Sequence, residues 1–105
     1  MNDNEMYITI DHLDDFERTR FFRIGDILTL RKDKDNDYDD EAILVFDGNG
    51  HKCGYVANSV ATVARGTFSA GRLYDLIGDD EKCVVRFILS EEGIVIARIC
   101  QEICR

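Results

Sequence analysis

The stretch EAILVFDGNGHKCGYV, residues 41–56, decides the fold of this chain. Its first part, residues 41–47, is an apolar run rich in strand-forming residues. The residues that follow, Gly48-Asn49-Gly50, are a strong turn signal, and residues 51–56 resume a strand-like pattern. Two such runs around a short glycine-rich turn predict a β-hairpin.

Further strand-like segments lie on both sides of this hairpin, at residues 7–10, 27–31, 83–89 and 94–99. Two short helices are predicted. The first covers about residues 59–65, with Asn58 or Ser59 as its N-cap and Gly66 after its end. The second covers residues 70–77 and is followed by Gly78. The expected fold is therefore mainly β, with about six strands and two short helices in a single domain over residues 1–105. That many strands in a small domain suggests a closed or nearly closed barrel.

Composition argues against several classes of protein. The 105 residues carry 13 Lys+Arg and 21 Asp+Glu, so the formal net charge is −8. Ordinary nucleic-acid binders show a basic footprint, and anionic membrane surfaces attract basic segments. No apolar run approaches the ~20 residues that a membrane span needs. The first residues lack the basic and apolar regions of a secretory signal, and the four cysteines show no disulfide framework. These features predict a cytoplasmic protein with reduced cysteines.

The acidic total conceals a segregated pattern. Residues 1–17, 33–41 and 79–105 carry net charges of −6, −5 and −2, whereas residues 18–32 carry +4 and residues 42–78 carry +1. A local site can therefore differ in sign from the whole chain. The total argues against strong non-specific binding of DNA and leaves a weak, specific site open.

Motifs for metal binding and catalysis are weak. The alternating acids from Asp33 to Asp39 resemble a calcium loop, but Tyr38 and Leu44 occupy the positions where an EF-hand needs glycine and glutamate. The spacing of Cys100 and Cys104 is wider than that of common zinc sites. A phosphate-binding loop, a dinucleotide turn and a serine elbow are all absent from the sequence. We therefore predict no catalytic residues, no metal and no cofactor, and we expect that the protein is not an enzyme.

One motif is more specific. The sequence reads GDILTLR at residues 25–31, N-x-Y-D-x-x-A-I-x-V at residues 36–45, and GYV at residues 54–56. In type, order and spacing these elements resemble the HIRAN domain family over about half of the chain, roughly residues 25–77. The resemblance implies an OB-like barrel of about six strands with two helices. HIRAN domains occur in Swi/Snf-type DNA translocases of replication-fork repair and as small stand-alone proteins of bacteria or phages.

The resemblance also implies a ligand, the 3′ end of single-stranded DNA. By similarity, Tyr38 would stack on the terminal base and Asp39 would accept a hydrogen bond from the 3′-hydroxyl. A carboxylate accepts from a hydroxyl but repels a phosphate, so it favours an unmodified end. Tyr55, after the second glycine of the motif, would add stacking or a phosphate contact.

Two departures from the family pattern weaken the predicted DNA site. Asn58 stands where DNA-binding members place a lysine for a phosphate. The stretch at residues 11–16 is acidic, where those members carry aromatic and basic residues. Each lost phosphate contact removes a counterion-release contribution to affinity. Arg31, which ends the matching strand, is the cation best placed to compensate; the other candidates are Arg18, Arg20, Arg23, Lys52 and Arg65.

Parts of the motif have a purely structural interpretation. Asn36 and Asp39 are residue types that hydrogen-bond to neighbouring backbone groups in turns. Ala42, Ile43 and Val45 are expected in the core. The predicted DNA-binding residues are therefore Tyr38, Asp39, Tyr55, Asn58 and Arg31, and the predicted function is recognition of single-stranded or damaged DNA ends in repair or replication restart.

Two alternatives stay open at this point. One is a protein-interaction module that has kept the barrel but lost DNA binding, which the net charge and Asn58 favour. The other, which we rank lowest, is a small nuclease that holds magnesium with Asp37, Asp39 and Asp40.

Overall fold

Six strands form a closed barrel in the computed structural model, which describes residues 5–11, 21–37, 39–58, 66–78 and 80–100. The strands are β1 (Tyr7–Asp11), β2 (Ile27–Lys32), β3 (Ile43–Phe46), β4 (Lys52–Val56), β5 (Glu81–Leu89) and β6 (Ile94–Ile99). Their order around the barrel is β1-β4-β3-β2-β5-β6, and neighbouring strands are antiparallel. The prediction of a mainly β fold with a closed six-stranded barrel is confirmed.

The core follows from the two-residue period of the strands. In β2 and β3, buried residues alternate with residues that are partly or fully exposed. The buried members of these and the other strands point into the barrel, where they make one apolar cluster; its fully buried members include Ile8, Ile10, Leu30, Ile43, Val45, Val85 and Val95. Ala42 is buried beside them, so the core assignment of Ala42, Ile43 and Val45 is confirmed.

One short helix, α1 (Ala70–Tyr74), lies in the described part of the chain. It packs Ala70 and Leu73 into the barrel core. It ends before the predicted residue 77, because the N–H of Leu76 bonds to the carbonyl of Leu73, three residues back, in a tighter turn. The other predicted helix, at about residues 59–65, lies outside the described residues, so the expectation of two helices is met by one. No helix in the described ranges is long and apolar enough to cross a membrane.

The predicted hairpin is present as β3 and β4. The Asp47 carboxylate accepts hydrogen bonds from the backbone N–H groups of Asn49 and His51, at 2.8 and 2.9 Å, and Gly50 adopts a φ of 82° that glycine tolerates best. The register of this hairpin shifts, since Val45 lies opposite Gly54 whereas Phe46 lies opposite Lys52. Cys53 is therefore the extra residue of a β-bulge.

Candidate functional site

The loop between β2 and β3 carries most of the family motif, and Asn36 organises it. The side-chain oxygen of Asn36 accepts from the backbone N–H of Asp39 at 2.9 Å. The Asn36 amide nitrogen donates to Asp33 Oδ2 at 3.2 Å. The interpretation of Asn36 as a residue that satisfies its own turn is confirmed.

Asp39 is half-buried in the same loop, and its two carboxylate oxygens face different partners. Oδ1 accepts from the backbone N–H of Glu41 at 2.9 Å, which confirms the predicted hydrogen bond from Asp39 to a neighbouring backbone group. Oδ2 lies 3.4 Å from the side-chain nitrogen of Asn58, which is two residues beyond the end of β4. The backbone bond fixes the orientation of the carboxylate and leaves Oδ2 as the oxygen with a weak, replaceable contact.

Asn58 connects this loop to α1. While its nitrogen faces Asp39, its side-chain oxygen accepts from the backbone N–H of Gly71 at 2.8 Å. The contact is close, since a Cβ on residue 71 would lie 3.2 Å from the Asn58 oxygen. Asn58 therefore has a structural role that the sequence did not reveal: it joins the motif loop to the first turn of α1.

Tyr55 lies on the outer side of the barrel. It is half-buried on β4, opposite Leu44 of β3 and Asp11 of β1. The ammonium group of Lys52 lies 4.9 Å from the centre of its ring. The bulge at Cys53 produces this contact, because without the extra residue Lys52 and Tyr55 would point to opposite sides of the strand.

Arg31 also projects from the outer side, on β2 opposite Leu44. Its Nε and Nη2 donate to Asp80 Oδ1 at 3.0 and 2.8 Å. Its guanidinium lies 5.2 Å from the centre of the Phe46 ring. The salt bridge is exposed on both sides, so it is weak and open to competition by another anion.

The structure brings the predicted site residues together in two groups. Asp39 and Asn58 are in contact at one end of the barrel, whereas Arg31 and Tyr55 flank Leu44 on its outer side. Tyr38 lies outside the described residues. Of the other candidate cations, Lys52 shares the outer side with Tyr55 and Arg23 is exposed ahead of β2, while Arg18, Arg20 and Arg65 lie outside the described residues.

The sequence reasoning missed three residues beside this group, namely Phe46, Asp80 and Lys82. Phe46 and Lys52 are register partners only because of the bulge, and the alternation of the sequence does not reveal it. Lys82 lies opposite Thr29, and its ammonium donates to the Thr29 hydroxyl at 2.7 Å. The predicted start of β5 at residue 83 excluded Lys82 from the strand.

On the other side of the barrel, the Tyr7 phenol has a shifted pKa. Burial raises the pKa of the Tyr7 phenol above its ordinary value, and its hydrogen bond to Glu5 Oε2, at 3.0 Å, raises that pKa further. Tyr7 lies on β1, opposite Arg98 of β6. This phenol is a structural group of the barrel wall rather than part of the motif.

Two other features bear on catalysis or small-ligand binding. An open cavity of about 600 Å³ lies beside the β3–β4 turn, at the opposite end of these strands from the motif loop. The carboxylates of Asp26 and Asp47 on its wall accept from nearby backbone N–H groups. Across the described ranges, no group of three or more His, Cys, Asp or Glu side chains is arranged to hold a metal ion.

Fold and site together define a small β-barrel module that presents a hydrogen-bonded polar loop at one end and a cationic and aromatic side wall. The family model of the HIRAN domain matches residues 6–96. The chain therefore belongs to the HIRAN domain family, which is generally associated with nucleic-acid binding.

One solved structure shows the same fold. It is the crystal structure of a protein from Lactobacillus plantarum, a structural-genomics target, which is 22% identical with a TM-score of 0.60. The similarity covers 93% of this chain and 95% of that one. No curated protein matches the sequence.

Proposed function

We propose that this chain is a non-catalytic cytoplasmic module that binds single-stranded or damaged DNA ends carrying a 3′-hydroxyl, in DNA repair or replication restart. The observation that carries the proposal is the fixed carboxylate of Asp39. One oxygen is bound to the Glu41 backbone, and among the described residues the other contacts Asn58 at 3.4 Å. A hydroxyl donor approaching Oδ2 would replace this long contact with a shorter hydrogen bond to the same charged oxygen.

The roles proposed for the other residues follow from their places. Tyr38 would stack on the terminal base, as the family motif implies. Tyr55 and Arg31 would contact the base and the phosphate of the nucleotide next to the terminal one. Asn58, whose nitrogen faces Asp39, would hold the carboxylate rather than neutralise a phosphate as the family lysine does. We also propose that the barrel is OB-like, a class whose members bind oligonucleotides.

The test compares two oligonucleotides that differ only at the 3′ end, one with a hydroxyl and one with a phosphate. Fluorescence anisotropy at low salt is expected to show at least about tenfold tighter binding of the hydroxyl form, since a hydrogen bond to a charged group is worth about 1.5–3 kcal/mol. Asp39→Asn is expected to reduce this preference towards unity, because the amide no longer repels a phosphate.

Asp40→Asn is the matched control, because it removes the same charge from the next, exposed residue. It is expected to keep the preference for the hydroxyl. Equal affinity of the wild-type protein for both ends would overturn the proposal.

A second candidate function rests on a different observation. Large apolar side chains are exposed near the β2–β5 side of the barrel, with 54% of Phe87, 60% of Ile24 and 49% of Ile27 accessible. Apolar side chains in such positions favour a protein-interaction module that does not bind DNA. Light scattering would then show self-association that Phe87→Ser abolishes, while a monomer with 3′-end preference would exclude this alternative.

A further inference from the structure

The outer side of the β2–β3–β4 sheet carries a second set of residues suited to nucleic acid. Two rows run across it from strand to strand. Row one contains Arg31, Leu44 and Tyr55, and row two contains Lys82, Thr29, Phe46 and Lys52. We call these seven residues the outer sheet face.

The composition of this face differs from that of the whole chain. It carries three cations in a protein of net charge −8, and two carboxylates lie at its margin, Asp11 opposite Tyr55 and Asp80 bonded to Arg31. Arg31, Lys52 and Lys82 are exposed, whereas Phe46 and Tyr55 are half-buried. The cations can therefore reach a ligand while the aromatic rings are held in place by the sheet.

The cations and rings are interleaved. Arg31 lies beside the Phe46 ring at 5.2 Å, and Lys52 lies over the Tyr55 ring at 4.9 Å. Single-strand binding surfaces combine aromatic stacking platforms with positive charges that follow the phosphates. An exposed lysine over a ring is a weaker contact than a stacked base, so a base can displace it and leave the ammonium group for a phosphate.

The position of the face links it to the motif loop. Row one lies next to that loop, because Arg31 is two residues from Asp33 and Tyr55 is three residues from Asn58. Row two lies further from the loop and spans three strand spacings, about 14 Å. A DNA strand whose 3′ end reaches Asp39 can therefore continue across row one to row two.

We infer that the outer sheet face binds the nucleotides 5′ of the terminal one, so that the ligand is a single-stranded segment rather than a lone end. This inference rests on the proposed function, and it adds Phe46, Lys52 and Lys82 to the binding residues. The three cations suit any polyanion, and the two rings, which can stack on bases, favour a single-stranded polynucleotide over an acidic peptide.

The experiment uses two lengths of oligonucleotide with a 3′-hydroxyl, of about 3 and about 12 nucleotides, chosen around the site sizes of single-strand-binding barrels. The full-length protein is expected to bind the longer strand at least about tenfold more tightly. Lys52→Gln and Lys82→Gln are each expected to lower affinity for the longer strand and to reduce the salt slope by about 0.7, the value for one phosphate contact on a single strand. Phe46→Ala is expected to weaken binding of the longer strand without changing the salt slope.

Arg86→Gln is the matched control, because Arg86 is an exposed cation four residues further along β5 than Lys82. It removes the same charge and is expected to leave the salt slope unchanged. Circular dichroism of each variant checks that the barrel is intact.

The outcomes separate this inference from the proposed function. Equal affinity for both lengths, or equal effects of Arg86→Gln and Lys52→Gln, would show that the outer sheet face does not bind DNA, even if the preference for a 3′-hydroxyl persists. Binding that depends on length without a preference for the 3′-hydroxyl would support DNA binding by the outer sheet face. The same result would overturn the proposed recognition of the 3′ end by Asp39. Polyglutamate that competes as well as the longer strand would overturn the face as a nucleic-acid site, and absence of binding to the longer strand would overturn both.

Discussion

Strands β1 and β2 belong to the same barrel but differ in what surrounds them. All five residues of β1 are buried, including the polar Thr9 and Asp11. In β2, the buried Leu28 and Leu30 alternate with residues that are partly or fully exposed. The difference shows that both faces of β1 are covered by other parts of the protein, whereas one face of β2 is exposed on the outer side of the barrel.

The neighbours of β1 explain part of this burial. Beyond the end of β4, Phe68 lies beside β1, where it is bridged to Ile8 and its N–H bonds to the Tyr7 carbonyl. The Thr9 hydroxyl lies 2.8 Å from the Thr67 hydroxyl. The two strands should therefore respond differently to the same substitution.

The largest difference is expected for Ile8→Ala on β1 against Ile27→Ala on β2. Ile8 is fully buried, so its truncation is expected to cost about 2–5 kcal/mol of unfolding free energy. Ile27 is about half exposed, and its truncation is expected to cost about 0.5 kcal/mol or little more. Urea denaturation measures both, and equal costs would contradict the distinction between the strands.

A smaller difference is expected for Thr9→Val against Thr29→Val. The buried Thr9 loses its bond to Thr67, at a cost of about 1–2 kcal/mol, because valine has the shape of threonine without its hydroxyl. On β2, Thr29 loses only an exposed contact with Lys82, and the cost is expected below about 0.5 kcal/mol. Chemical denaturation of the two variants side by side provides the check. The comparison fails if Thr29→Val is the more damaging change.

The stability of the protein is expected to depend on pH through Tyr7 of β1. The folded-state pKa of Tyr7 is raised, chiefly by burial and then by Glu5, so the folded state holds the phenol proton more tightly than the unfolded state. Stability is therefore complete below a pH of about 10, the unfolded value, and declines as pH rises through the folded pKa.

Tyr7→Phe is expected to flatten this alkaline decline at a cost of about 1 kcal/mol at neutral pH, from the lost bond to Glu5. Thermal unfolding at several pH values up to the alkaline range measures the decline. Glu5→Gln is expected to reduce the slope without abolishing it, because burial persists. An unchanged alkaline slope in Tyr7→Phe would assign the decline to another group.

The smallest effect on stability is expected for Asp80→Asn, which releases Arg31 on the outer side of β2. The exposed salt bridge contributes at most about 1 kcal/mol, and asparagine tolerates the φ of 60° at this position. Affinity for single-stranded DNA is expected to rise at low salt, since Arg31 gains freedom to meet a phosphate. Glu91→Gln removes the same charge from the exposed β5–β6 turn and should have little effect. A comparable gain in both variants would indicate that only total charge matters.

Much of the fold could be predicted because strands and turns follow from local patterns in the sequence. The alternation and turn signals placed β6 at its observed bounds and the other strands within two residues of theirs. The beginnings of β3 and β5 were less accurate. Glu41 and Ala42 belong to the motif turn, while Glu81 and Lys82 are polar residues that extend β5 against β2.

The site could be predicted only where its contacts are local. Asn36 and Asp39 bond to backbone groups two or three residues away, which their residue types indicate. The contact of Asn58 with Asp39 spans 19 residues and that of Arg31 with Asp80 spans 49, so only the folded chain reveals them. The bulge at Cys53 likewise gives no signal in the alternation, yet it decides that Lys52 shares a side with Tyr55.

The closure of the barrel limits the ways in which another molecule can bind to these strands. Each of the six described strands pairs with a neighbour on both sides, although β4 pairs with β1 only at Tyr55 and Val56 and β5 pairs with β2 only from Glu81 to Val84. Along the paired lengths, recognition by adding a strand, which many small β domains use, would require an existing strand pair to break. Side chains on the wall and at the ends of the barrel can contact a ligand without such a break, and single substitutions there can change selectivity without altering the barrel.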